Sequence, residues 1–435
     1  LLSPADRAPD WPQGQASGGA AVGTATKAVK LRCPKCGWES PSKTTFQCPT
    51  CAAVLEAVVE IGRLSKSQLA EIRQRTEQTV WRWFEFFPVE ERSAIVSLGE
   101  GYTPLLHPSS LAARLGISRL YVKNDTVLPT GSLKDRSNTV GISKAKELGY
   151  KTAAVVSTGN AAASVAGYAA AAGLKSIVMV PEGTSPSKIV QASAYGATVV
   201  VVKGDFEEAA RLYKAALKEF GWYDCLSTNP YRNEGKKSYA YELFDQLSGR
   251  VPDWIIHPTA GGTGIYAMWK GYNELLMLGW VDRLPRLVAA QSEAAAPIVA
   301  AVHRGLSDIE PVVARDTVAE SIQVGYPKSM GGRALEAIRA SHGTAVALAD
   351  DEILEAQSLL ARLGGIFAEP AGAVSVAAAK KLQEQGIIAH GDLVVCTITG
   401  HGLKQPDAVK ISDEELRPVP ANLGALRKRL ELKGK

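Results

Sequence analysis

The stretch Thr152-Ala153-Ala154-Val155-Val156-Ser157-Thr158-Gly159-Asn160-Ala161-Ala162-Ala163-Ser164 decides the architecture. A short run of strand character reaches a turn of small polar residues, and an alanine-rich helix follows with no spacer. A strand that hands directly to a helix is half of a βαβ unit, so its sheet is parallel and covered on both faces. The same alternation recurs outward from this point. Strands are expected at Leu120–Asn124, Thr152–Ser157, Ser176–Val180, Thr198–Val202, Trp254–Pro258, Arg286–Gln291 and Leu393–Ile398. Helices are expected at Ala161–Ala172, Pro186–Tyr195, Phe206–Phe220, Lys237–Leu247 and Ile265–Met277. That is too many strands for one small sheet, and there is no eightfold regularity. The pattern favours an α/β chain with two open parallel sheets, flanked by helices and facing across a cleft.

Composition sets the outer limits. With 435 residues, 46% hydrophobic and 21% charged, the chain can bury a large core spread over two or three domains. A net charge of +5 is mild for this length, and no long Lys/Arg run precedes the tail. Nucleic-acid and membrane-surface partners therefore have little electrostatic support. No apolar run reaches the roughly 18 residues that span a bilayer. The opening Leu1–Lys30 lacks an apolar signal core and is rich in Ala, Gly and Pro, so residues 1–28 are expected to be disordered. Six cysteines, four clustered and two far apart, suit a metal site plus two buried thiols in a reducing cytoplasm.

The clustered four are Cys33, Cys36, Cys48 and Cys51, set in two Cys-x-x-Cys knuckles. Each knuckle aims two sulfurs at one point, and two knuckles complete a tetrahedral thiolate site for zinc rather than a pair of disulfides. All four positions are cysteine, leaving none for a water, so the zinc is read as structural. Ser65–Gln78 reads as an amphipathic helix. Trp81–Pro88 then places five aromatic residues in seven positions, which reads as a docking segment.

Four elements carry chemistry. Pro129-Thr130-Gly131-Ser132-Leu133-Lys134-Asp135-Arg136 is a tight turn opening a helix over Lys134–Glu147. A lysine there, walled by apolar neighbours, loses its proton easily and can form a Schiff base with a carbonyl. Ser157-Thr158-Gly159-Asn160 points backbone N–H groups at a common spot fit for a carboxylate, and the Asn160 side chain can reach a cofactor oxygen. Thr259-Ala260-Gly261-Gly262-Thr263-Gly264 opens a helix on three glycines, where the backbone can close on a phosphate. It has neither the Walker lysine nor the dinucleotide glycine spacing. Thr399 follows strand Leu393–Ile398, where its hydroxyl can meet a ring nitrogen; His401 behind it is read as a supporting residue. Together these add up to pyridoxal 5'-phosphate. Lys134 would hold the aldehyde, Gly261, Gly262, Thr263 and Gly264 the phosphate, Asn160 the ring hydroxyl and Thr399 the ring nitrogen. A neutral hydroxyl cannot hold the pyridine protonated, which favours elimination or replacement at the β or γ carbon.

At these residues the chain resembles the threonine synthases, in the tryptophan-synthase-β-like group of pyridoxal-phosphate enzymes. The matching pieces are Gly99–Leu105, Pro129–Arg136, Ser157–Asn160, Asn229–Lys237 and Thr399–Lys404, in order over roughly 31–406. The resemblance implies a small phosphorylated amino-acid substrate, with its carboxylate on Ser157, Thr158, Gly159 and Ala161 and its phosphate on Arg232 and Lys237. It implies loss of phosphate from O-phosphohomoserine and addition of water to give threonine, in a homodimer. The expected division is a zinc ribbon over 29–60, a large cofactor domain from 61–138 and 236–410, a small α/β domain over 139–235, and a charged tail over 411–435 with one amphipathic helix. Departures from the family pattern fall on the substrate wall. Leu128, Leu133 and Ala161 alter its polarity or size, and Ser137-Asn138 replaces the usual Gly-Met. They keep open a β-replacement on O-phosphoserine, as in cysteate synthase, and a serine or threonine dehydratase. A zinc-ribbon protein reusing the scaffold without catalysis is the reading from another class; it would be colourless with added cofactor.

Overall fold

The structure, a computed structural model, describes residues 29–433. The expectation of disorder for 1–28 lies outside those residues. β1 (Val29–Arg32) and β2 (Glu56–Val59) form an antiparallel ribbon that carries the four clustered cysteines. β3 (Leu105–Leu106) and β4 (Arg119–Asn124) begin a large sheet. The chain then builds a four-stranded parallel sheet from β5 (Thr152–Val156), β6 (Lys175–Pro181), β7 (Thr198–Val202) and β8 (Tyr223–Asp224). It returns to finish the large sheet with β9 (Trp254–Pro258), β10 (Arg286–Ser292), β11 (Thr344–Leu348) and β12 (Leu393–Ile398). The large sheet has the order β11-β10-β9-β12-β4-β3, parallel except for β3 at the edge; the small one has the order β7-β6-β5-β8.

The alternation of side chains along a strand explains why the central strands read as unbroken apolar runs. On β12, Leu393 and Val395 enter one core while Val394, Cys396 and Ile398 enter the core on the opposite face. On β9, Ile255 and Ile256 divide the same way. β11, with only five residues between helices and three of them alanine or threonine, was not expected. The aromatic segment packs as anticipated: Trp81, Trp83, Phe86 and Phe87 are fully buried, and Trp81 Nε1 donates to Thr139 Oγ1 at 2.9 Å.

Helix Lys134–Glu147 serves both sheets. Val140 lies in the core of the large sheet, while Ile142 and Ala145 lie in that of the small sheet. The expected boundary at 138 therefore cuts a helix. The boundary at 235 falls inside the continuous helical run Pro230–Gln246. Two other expectations need correction. The helix expected over Ser65–Gln78 spans Lys66–Gln74, because Arg75 leaves it extended and pairs with Glu85 at 2.7 Å. The tail holds two helices, Asp413–Leu416 and Leu423–Lys433, and Leu423, Leu426 and Leu430 are exposed.

Candidate active site

The turn before Lys134 is fixed by side chains that the octet itself supplies. Thr130 donates its N–H and hydroxyl to the Asp135 carboxylate at 2.7 and 2.5 Å, and Ser164 adds a third bond at 2.6 Å. Leu133 N–H donates to Thr399 O at 2.8 Å, and His401 N–H donates to Gly131 O at 2.9 Å. The lysine loop is thus stitched to the end of β12. Arg136 is fully buried and pairs with Asp125 at 2.7 Å and Glu242 at 2.5 Å, anchoring the first helical turn. Burial, and next the charge of Arg232, pull the Lys134 ammonium down from 10.5 to about 8; the Glu369 carboxylate opposes them.

Lys134 opens on a cavity of about 410 Å³ between the two sheets, a size suited to a small cofactor and substrate. Gly261, Gly262, Thr263, Gly264 and Thr399 all line it. Gly262 has φ +88°, and a Cβ there would sit 2.5 Å from Ala334 Cβ and 3.0 Å from Met330 O. Only glycine lets this backbone turn so that the first amides of helix Thr263–Met277 face the cavity. A Cβ on Gly264 would lie 2.1 Å from His257 Nε2. His257 itself bonds Thr397 Oγ1 through Nδ1 at 2.7 Å. Burial, then the charges of Lys236 and Lys134, hold it well below its ordinary value, so it is neutral. An anion cradle, a poised amine and a neutral hydroxyl on one cavity fit pyridoxal phosphate.

The substrate residues divide. Ser157, Ala161 and Arg232 line the cavity, whereas Thr158 and Gly159 sit outside its lining. Lys237 lies outside that lining. It is fully buried away from the cavity, pairs with Glu234 at 2.9 Å and Glu274 at 2.8 Å, and donates to Phe86 O at 2.7 Å. Lys236 lines the cavity instead. A 3-10 turn over Gly235–Lys237 changes the helical phase, which spacing alone does not reveal. Arg232 donates from Nε to Asn138 Oδ1 at 2.9 Å, so one of the departures from the family pattern orients a cavity cation. Asn160 donates from Nδ2 to both Glu369 oxygens, at 3.1 and 3.0 Å, and Ser321 Oγ donates to the same carboxylate at 2.9 Å. Glu369 and His257 were missed. Glu369 reads in sequence as an acidic residue before a helix-opening proline, and His257 as a strand residue.

In the ribbon, Gly37 N–H closes on Cys33 O and Ala52 N–H on Cys48 O, each at 2.9 Å. These turns bring the four cysteine sulfurs within 4.8 Å of one another. Cys225 and Cys396 are buried free thiols, as expected.

Comparison with known proteins identifies the class first. The chain belongs to the pyridoxal-phosphate dependent enzyme family, which matches residues 96–400. Within that class it is similar to threonine synthases. That of Methanocaldococcus jannaschii is 43% identical over 92% of this chain and 99% of its own length. That of Methanosarcina acetivorans is 40% identical over 93% and 99%. Among solved structures, maize serine racemase matches with TM-score 0.61 at 21% identity, over 77% of this chain and 94% of its own. Threonine deaminase isoform 2 of Solanum lycopersicum matches with TM-score 0.60 at 21% identity, over 77% and 88%. These two share the fold.

Proposed function

We propose that this enzyme converts O-phosphohomoserine and water into L-threonine and inorganic phosphate. The observation that carries the reading is the pairing, on one cavity, of the Lys134 amine with two buried cations that have no carboxylate ion-pair partner among the described residues. Arg232 is 5% exposed and Lys236 is 7% exposed. Burial lowers Lys236 well below its ordinary value, and Lys134 and then Arg232 add to the shift. Such a wall stays costly until an anion arrives. Pyridoxal phosphate, when bound, supplies an electron sink for carbanions at the substrate. Gly261 to Gly264 would hold its phosphate, Thr399 its ring nitrogen and Asn160 its ring hydroxyl, with Glu369 orienting the Asn160 amide. Lys134 moves protons at Cα and Cβ of the amino acid. The loop from Ser157 to Ala161 binds the substrate carboxylate. Arg232 and Lys236 take the phosphate as the Cγ–O bond breaks, and water adds at Cβ.

The four cysteines would hold a structural zinc, supported by their mutual distances. A homodimer in the cytoplasm remains part of the proposal. Among the described residues no helix is long and apolar enough to cross a membrane. The test is a panel of phosphorylated amino acids: threonine and phosphate should appear in equal amounts from O-phosphohomoserine. Phosphate release from O-phosphoserine with sulfite, and none from O-phosphohomoserine, would move the assignment to the β-replacement reading.

A further inference from the structure

The cysteine ribbon covers the back of the cation wall. Tyr231, one residue before Arg232, is fully buried in the ribbon's own core with Leu31, Cys33, Cys48 and Leu55. Its ring meets Phe46 edge-on at 6.0 Å, and its hydroxyl donates to Lys43 O at 2.9 Å. Successive helical residues point about 100° apart. Holding Tyr231 in the ribbon therefore fixes the direction in which the short helix Pro230–Glu234 presents Arg232. A second tie runs through charge. Glu56 on β2 pairs with Lys270 at 2.7 Å, and Lys270 pairs with Glu234 at 2.8 Å, two residues beyond Arg232. The three side chains are 13%, 14% and 5% exposed, so solvent screens these pairs weakly. Lys270 also donates to Ala57 O at 2.7 Å, which fastens it to the ribbon backbone.

We propose that the ribbon is the positioning element for the substrate's phosphate. Its four-thiolate metal site fixes Tyr231 and Glu56, and through them Arg232 and Lys236. This rests on the reading of that wall as the site of the leaving phosphate. Metal loss or a broken Glu56–Lys270 pair then weakens the grip on phosphate while the amino-acid end of the cavity keeps its affinity.

The test uses the full-length, cofactor-loaded enzyme and measures by calorimetry the binding of inorganic phosphate and of L-norvaline, which has no phosphate. Three forms are compared with wild type: enzyme stripped of metal by a chelator, Glu56→Gln with the cysteines intact, and Arg232→Ala. Phosphate affinity should fall about tenfold on stripping and roughly fivefold in Glu56→Gln, the range of a lost partly buried charge contact. L-norvaline affinity should change less than about twofold, and the visible cofactor band should persist. If stripping unfolds the chain, Glu56→Gln decides. Normal phosphate binding in Glu56→Gln, with a defect only in Arg232→Ala, overturns the role of the ribbon and leaves the phosphate wall standing. Equal loss of phosphate and L-norvaline binding in Glu56→Gln also overturns it, since general loosening would then be the cause. Unchanged phosphate binding in Arg232→Ala removes the wall itself, and the ribbon's role with it.

Discussion

Lys134 is an amine whose acidity is set by neighbours of opposite effect. Burial and Arg232 bring it to about 8, and Glu369 resists. Below that pH the side chain is an ammonium and cannot attack an aldehyde; above it the free amine can. Uptake of pyridoxal phosphate by the apoenzyme, followed by its visible band, should therefore rise with pH through about 8. Glu369→Gln removes the carboxylate that favours the ammonium, so the rise should shift to lower pH. A midpoint that stays put or moves up would count against this balance. Lys134→Ala should lose the lysine-dependent visible band and about 10²–10⁴-fold in turnover, with far-UV dichroism unchanged. Retention of both band and turnover would sink the assignment of the lysine.

At the scale of elements, the glycine loop before helix Thr263–Met277 has no room for a side chain at Gly262. Gly262→Ala would place an L-residue at φ +88° and push its methyl to 2.5 Å from Ala334 Cβ. The left-handed backbone alone costs about 1–2 kcal/mol, and the contact adds to it. The dissociation constant for pyridoxal phosphate should rise at least about tenfold in a titration of the visible band; an unchanged constant would remove this loop as the cradle. The loops were legible because glycine, threonine and asparagine at strand ends have few other uses in a parallel sheet. β11 was not, because Thr344-Ala345-Val346-Ala347-Leu348 is short and carries alanine at alternate positions, and its pairing with β10 is what makes it a strand. The exchange of Lys237 for Lys236 has a similar source: the three-residue 3-10 turn advances the helix by about 60° beyond α-helical phase, and only the tertiary packing selects that turn. Glu369 could not be found by spacing, because it meets Asn160 from 209 positions away.

On the scale of the whole molecule, the buried charges around Arg136 join the lysine loop to the helices behind it. Burial alone would raise Glu242, but Arg136 and then Lys123 hold it down from 4.5 to about 2. That stabilisation is complete above pH 4.5 and is lost as pH falls through about 2. Glu242→Gln should cost about 3–5 kcal/mol in denaturant unfolding at pH 7, because it takes the paired carboxylate from buried Lys123 and leaves Arg136 with Asp125 alone. The gap to wild type should narrow between pH 4.5 and 2; a constant gap would show that charge is not the cause. The helix that starts at Lys134 has a further mechanical meaning. Its first residue is registered on Thr399 through Leu133, while Ile142 and Ala145 are embedded in the smaller lobe. A tilt of that lobe would swing Ser157 and Ala161 across the opening while the amine barely travels. The reacting nitrogen thus rides on the helix end fastened to the larger sheet, where a shift of the smaller one would reach it least.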